Sequence, residues 1–387
     1  MQNLICEKLK RNKFLILLLI IVMVRFLSVC TFGAGHCGVK EKIRYESYKE
    51  YEKEGLDRDR AEAGGTSLFD YFNFIDRFRN SSIQKARNFY PSPHSELLLG
   101  IVLGIDELQT VPTFNDILIA TGTIHVVVVS GYNINLLFSF LKSFLGGIYS
   151  FKKYLIAVIA TLVYSVISGF EPPVIRAWIM SSVSGLGMFY GRKLDPVMLL
   201  LFSGLVMIFF DPGLLYSLSF QLSFLASLSL LMFSPIVKAF FAIISKQSMT
   251  KSSQNLLQED LVSSFSAQIL VWPVISINFG RVSIFSPFIN SIILWTIPVS
   301  TILGAAFLFS AFINYYLAFA VSLFLYAPLD IFVQVLRLFS NIPFLSVTLK
   351  LNAIYLIVYY LAVFVLYQLF KKKLESVANL ERKYVQT

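Results

Sequence analysis

The chain has 387 residues, of which 56% are hydrophobic and 14% charged, with a mean hydropathy of +0.69. A soluble domain cannot hide that much apolar surface, so the composition points to a polytopic membrane protein. The net charge of +10 does not by itself point to nucleic acid, because membrane proteins gather Lys and Arg on the cytoplasmic side for topological reasons.

The chain opens with Lys8, Lys10, Arg11 and Lys13, followed by the apolar run from Phe14 to Val24. This reads as a membrane anchor over residues 1–30 with its N-terminus inside. The three cysteines, Cys6, Cys30 and Cys37, lack metal-ligand spacing. Cys30 and Cys37 either pair outside the cytoplasm or remain two thiols.

Residues 31–90 read as an extracytoplasmic or interfacial segment. The stretch KEKIRYESYKEYEKEGLDRDRAEA is polar and reads as a solvated helix ended by Gly64 and Gly65. Next, Leu68, Phe72, Ile75 and Phe78 form an apolar stripe at helical spacing beside Arg77, Arg79, Lys85 and Arg87. That pattern predicts a helix lying on the membrane surface. Pro91 and Pro93 break it. HSELLLGIVLG, from His94, is too short to span and is expected at the interface or as a re-entrant piece.

Nine further spans follow, at about 117–141, 154–170, 174–191, 196–210, 214–234, 261–280, 284–311, 317–338 and 352–370. With the anchor they make about ten. The alternation places Lys142, Lys152, Lys153, Arg192, Lys193, Lys238, Lys246, Lys251 and the basic tail at 371–387 on the N-terminal side of the membrane. The short loops opposite hold Arg281 and Lys350, with Arg337 at a span's end. This asymmetry predicts a plasma-membrane protein with both termini cytoplasmic. The expected fold is all-α: a polytopic helical membrane protein with one or more broken helices and interfacial amphipathic helices. Apolar runs of helix length argue against an outer-membrane barrel.

Polar groups are costly in lipid and often mark pathways. The second span carries His125, Ser130, Gly131, Asn133 and Asn135. Gly weakens a helix, and Ser and Asn compete for its backbone hydrogen bonds. A break there is tolerated only against protein or water. Two readings stay open: helices packed closely through small residues, or the lining of a path. In SGFEPPVIRAWIM, Glu171 is placed to cap a helix opened by Pro172 and Pro173. Arg176 then lies about a turn inside. Unpaired there it costs about 2.5–3.5 kcal/mol, so Glu171 is a candidate partner; an anion is the other. In DPGLLYSLSFQLSFLASLSLL, Asp211 caps, Pro212 opens, and Ser217, Gln221 and Phe224 share a face. Gln221 wants a partner, with His125 and Asn133 as candidates. Gln268, Pro273, Asn278 and Asn290 follow in later spans, and Pro273 is expected to kink its helix.

Taken together, these stretches resemble the ComEC-type competence proteins. The pattern His-x4-Ser-Gly-x-Asn-Ile at 125–134, Pro-x-x-x-Arg-Ala at 172–177 and FQLSFLA at 220–226 are similar to blocks of that family. WPVISINFG at 272–280 and SPFINSIILWTIP at 286–298 add two more, all in family order, covering residues 91–370. The resemblance implies a channel passing single-stranded DNA inward during natural transformation, with the lipid bilayer as its solvent. It implies a DNA-receptor protein outside and a helicase or strand-binding protein inside, since no P-loop is present to power movement. Larger members add an oligonucleotide-binding domain and a metallo-β-lactamase-like domain. Here the segment at 31–90 is too short for the first, and no room for the second is expected before Thr387. With only His36, His94 and His125, no metal, cofactor or catalytic activity is expected; a separate nuclease would degrade the second strand. His125, Ser130, Gly131, Asn133, Arg176, Gln221, Gln268 and Asn290 are the candidates for the path or the structural core. Glu171, Arg281 and Arg337 are the candidates for an outer mouth. The alternative is a small-molecule transporter, which would show paired broken helices. A membrane enzyme on a lipid-linked substrate would want paired acids or clustered histidines; here they stand apart.

Overall fold

The computed structural model describes residues 68–370, apart from 106, 128–130, 148–149, 246–255, 281, 341, 343–345, 348–354 and 356–357. The anchor at 1–30, the polar stretch that follows it, Cys30, Cys37 and the tail at 371–387 lie outside the described residues.

The described chain is all-α save for one two-residue strand pair, β1 (Val282–Ser283) with β2 (Ser346–Val347), antiparallel. The helices are α1 (Leu68–Phe89), α2 (His94–Leu103), α3 (Pro112–Thr121), α4 (Ile124–Val127), α5 (Gly131–Phe144), α6 (Phe151–Ile167) and α7 (Pro172–Phe189). Then come α8 (Pro196–Phe210), α9 (Leu218–Ser245), α10 (Leu256–Phe279), α11 (Ser286–Ile293), α12 (Thr296–Ile313) and α13 (Tyr315–Ser340). A last apolar helix, α14, covers Val358–Phe370.

Among the described residues four stretches are long and apolar enough to cross a membrane: Leu218–Phe241, Gln258–Asn278, Thr296–Ile313 and Tyr315–Ser340. Their outer faces carry large apolar side chains, with Phe309 and Phe324 each 72% exposed. A soluble monomer does not display such continuous apolar surface. This is a multi-pass membrane protein.

Local chemistry sets the helix starts. Pro172, Pro196 and Pro287 sit in first turns, where their missing N–H costs nothing. Asp195 accepts from Val197 N at 2.8 Å to cap α8. Asp211 accepts from Gly213 N at 2.9 Å, capping a 3-10 turn (Pro212–Tyr216) rather than the long helix that follows.

The expectation of a single span over 117–141 needs correction. The segment is interrupted after α3, because Gly122 takes a left-handed φ of 72° that ends that helix. The HSELLLGIVL stretch, expected at the interface or as a re-entrant piece, is enclosed by protein: all ten residues of α2 are buried. At 1.5 Å per residue α2 is about 15 Å long, half of what a span needs. Protein encloses it, chiefly α12, α1 and α13, with Leu98 and Val102 pressed against the bare backbone of Gly304. The apolar stripe of α1 is likewise committed to protein in part: Phe78 stacks on Phe312 at 5.4 Å, and Phe89 meets Phe307 edge-on at 5.3 Å.

α10 runs through Pro273, whose missing N–H leaves the carbonyl of Ile269 without its helical donor. Tyr359 of α14 supplies one, its hydroxyl donating to Ile269 O at 2.8 Å. One turn earlier, Ser229 of α9 enters the same ladder, donating to Ser266 O and accepting from Leu270 N.

Candidate functional site

The polar residues of the spans gather in two places. The first lies where α5, α7 and α9 meet. Gly131 opens α5 against the first turn and a half of α7. A methyl group placed on it would lie 2.9 Å from Ala177 Cβ, 3.1 Å from Arg176 Nη2 and 3.2 Å from Pro173 O. Only a glycine lets the helices approach this closely. Arg176 then reaches across to α9, where Nη1 donates to Ser223 O and Ser227 Oγ. Its guanidinium carbon lies 5.8 Å from the centre of the Phe224 ring. Ser227 Oγ in turn donates to Ser223 O at 3.0 Å. Thus α9 supplies hydrogen-bond partners for the arginine. Its Nε is buried with no hydrogen-bond partner. Glu171 occupies the N-cap position of α7 with extended backbone and makes no side-chain capping bond.

Asn133 is 4% exposed and turns away from Arg176's helix, donating through Nδ2 to Ile101 O at 2.8 Å. Beside it the Tyr164 hydroxyl donates to Val102 O at 3.0 Å. The last turn of α2 is therefore held by two side chains from α5 and α6. Tyr164 was not singled out from the sequence. A tyrosine in an apolar run carries no signal until its partner is known.

The second gathering surrounds Ser286, the first residue of α11. Gln268, midway along α10, donates to Ser286 Oγ at 2.8 Å. Asn290 Nδ2 lies 3.3 Å from the same oxygen. Ser286 itself donates to Gly122 O at 3.2 Å, in the turn that ends α3. Thr121 and Thr123 flank that turn, fully buried, their hydroxyls 2.8 Å apart. Two amide oxygens, Gln268 Oε1 and Asn290 Oδ1, are buried there without partners. The sequence pointed to Gln268 and Asn290 but missed the serine between them.

Gln221 joins neither cluster. It was matched to His125 or Asn133, but its Nε2 donates to Leu215 O at 2.8 Å, six residues back in the 3-10 turn. The turn capped by Asp211 brings that carbonyl within reach, so the amide is satisfied locally. Arg337 is exposed near the end of α13. Ser130, Arg281 and the side chain of His125 lie outside the described residues. Among the described residues no group of three or more His, Cys, Asp or Glu side chains could hold a metal.

The arrangement thus joins the Gly131 stretch, the Arg176 stretch and the FQLSFLA stretch through one arginine. Residues 102–373 match the family described as Competence protein. The chain belongs to the competence protein family. It is also 33% identical over 189 residues to an uncharacterized protein of Aquifex aeolicus (strain VF5), a match covering 47% of this chain and 44% of that protein. The chain thus spans less than half the length of that relative. No solved structure matches it.

Proposed function

We propose that this competence-family protein is a plasma-membrane channel that passes single-stranded DNA inward during natural transformation. It spans the bilayer about ten times with both termini cytoplasmic, and it catalyses no reaction itself. A DNA-receptor protein would deliver the strand from outside. A helicase or strand-binding protein would draw it in, and a separate nuclease would remove its complement. The observation that supports this reading most is the union of three family stretches at Arg176, because Gly131, Arg176 and Ser227 lie on three different helices and meet at one point. A positive charge beside an aromatic ring suits a phosphate and base path.

The alternative, a small-molecule transporter, draws support from the interruptions between α3 and α4 and between α11 and α12. One experiment separates the two. Labelled DNA is offered to competent cells carrying the intact gene, a deletion, or Arg176→Ala, with each protein's membrane level measured. The channel reading expects the deletion to abolish entry into the cytoplasm and Arg176→Ala to impair it. If the deletion leaves entry unchanged, the fold carries another cargo.

A further inference from the structure

The start of α2 holds ionisable groups that the DNA reading does not use. His94 is 6% exposed and Glu96 is 4% exposed. His94 Nε2 lies 3.2 Å from Asp330 Oδ1 of α13, and its ring stacks on Tyr326 at 5.2 Å and 15°. Its Nδ1 is buried with no partner. Glu96 accepts from Ser95 Oγ at 2.8 Å and faces Arg87 Nε at 3.8 Å. Arg87 also binds Glu107 at 2.9 Å. We propose that His94 and Asp330 form a proton-binding site inside the helical core, and that α2 carries its state to Asn133 and Tyr164.

The surrounding charges favour such a site. From α13 come Asp330 and Tyr326, and Gln334 Nε2 reaches the same Asp330 oxygen at 3.4 Å. From α1 comes Arg87, and just after it Tyr90, whose hydroxyl donates to Ser322 O. Glu96 lies on α2 itself and Glu107 just beyond it. α12 contributes no titratable group, and from α4 comes His125, whose side chain lies outside the described residues. With the Asp330 carboxylate ionised, a proton gained by His94 turns the 3.2 Å contact into an ion pair.

The mechanical link is α2. It is short, enclosed on every side and anchored at both ends. His94 ties its start to α13. Ile101 O and Val102 O, one turn from its other end, hold Asn133 and Tyr164. Gly100 packs against Val127 of α4, where an added methyl group would meet Val127 at 3.0 Å. A helix so confined moves as a rod when one anchor loosens.

The test uses the full chain in lipid nanodiscs and does not depend on DNA. The three histidines are labelled with carbon-13, and His94→Gln identifies the His94 signal. The proposal expects a His94 signal that responds to pH, and a response that Asp330→Asn alters. Amide hydrogen exchange over residues 97–103 is then compared between wild type and Asp330→Asn at about pH 5.5 and about pH 8. Faster exchange in the variant, several-fold more pronounced at the lower pH, supports the coupling. A response that Asp330→Asn leaves unchanged overturns the site. An equal difference in exchange at both pH values makes the contact a packing feature only and overturns the coupling.

Discussion

Arg176 donates to Ser227 Oγ, tying the second turn of α7 to α9 across fifty-one positions of sequence. The bond is charge-assisted, and its loss leaves a buried arginine short of a partner. Hydrogen bonds to charged groups contribute about 1.5–3 kcal/mol. Ser227→Ala is therefore expected to destabilise the folded protein by about that amount, read from thermal unfolding in detergent. Arg176→Lys keeps the charge but loses the planar fork that serves Ser223 and Ser227 together. It should lower stability at least as much as Ser227→Ala. Equal stability of Arg176→Lys and wild type would show that the fork is not what holds these helices.

Gly131→Ala separates propensity from packing. On an isolated helix the change favours folding by about 1 kcal/mol. Here the new methyl group would stand 2.9 Å from Ala177 Cβ, and a Cβ cannot swing aside. Overpacking of this kind costs about 1–3 kcal/mol, so the net effect should be destabilising, with Gly131→Val worse. Labelled-DNA entry should fall alongside, since the same contact positions Arg176. A neutral or stabilising Gly131→Ala would mean that α5 and α7 separate at little cost.

Much of the fold could be read from local chemistry. Pro172 and Pro173 open a helix, Pro91 and Pro93 separate two, and Asp211 caps at Pro212; each signal acts within a few residues. The failures have a common cause. Gly122 ends α3 inside an apolar run by its left-handed φ of 72°, and Ser286, 164 positions later, donates to its carbonyl. No local signal marks that contact. Likewise, HSELLLGIVL has the composition of an interfacial piece. Only its enclosure by α1, α12 and α13 makes it a buried rod. Of the candidate residues, the sequence found polar groups by their cost in lipid, but not their partners. Gln221 shows the limit, since its partner was a carbonyl six residues away.

Ser286 should matter more than either amide it serves. Ser286→Ala removes the shared acceptor of Gln268 and Asn290 and the donor to Gly122 O. Leaving buried polar groups unpaired costs about 1–3 kcal/mol each, so a loss in the upper part of that range is expected. Gln268→Leu alone should cost less. In the double variant the effects should fall short of their sum, because the amide's partner is already gone. Strict additivity in thermal unfolding would show that the two side chains do not act on one another.

Tyr359 and Tyr360 make a matched pair for testing the break at Pro273. Both hydroxyls donate to α10 carbonyls at 2.8 Å, to Ile269 O and Leu270 O. Their situations differ. Ile269 O has lost its helical donor, since Pro273 has no N–H, whereas Leu270 O faces the N–H of Val274 four residues on. Tyr359→Phe therefore strands a carbonyl and should cost about 1–3 kcal/mol, while Tyr360→Phe removes a second bond and should cost about 0.5–1.5 kcal/mol. Pro273→Ala restores the missing donor, so it should offset most of the Tyr359→Phe loss and none of the Tyr360→Phe loss. Thermal unfolding of the three single variants and the two doubles with Pro273→Ala, in one detergent, reads this directly. If Pro273→Ala fails to rescue Tyr359→Phe, the tyrosine holds α14 by packing of its ring and not by supplying the proline's missing hydrogen bond.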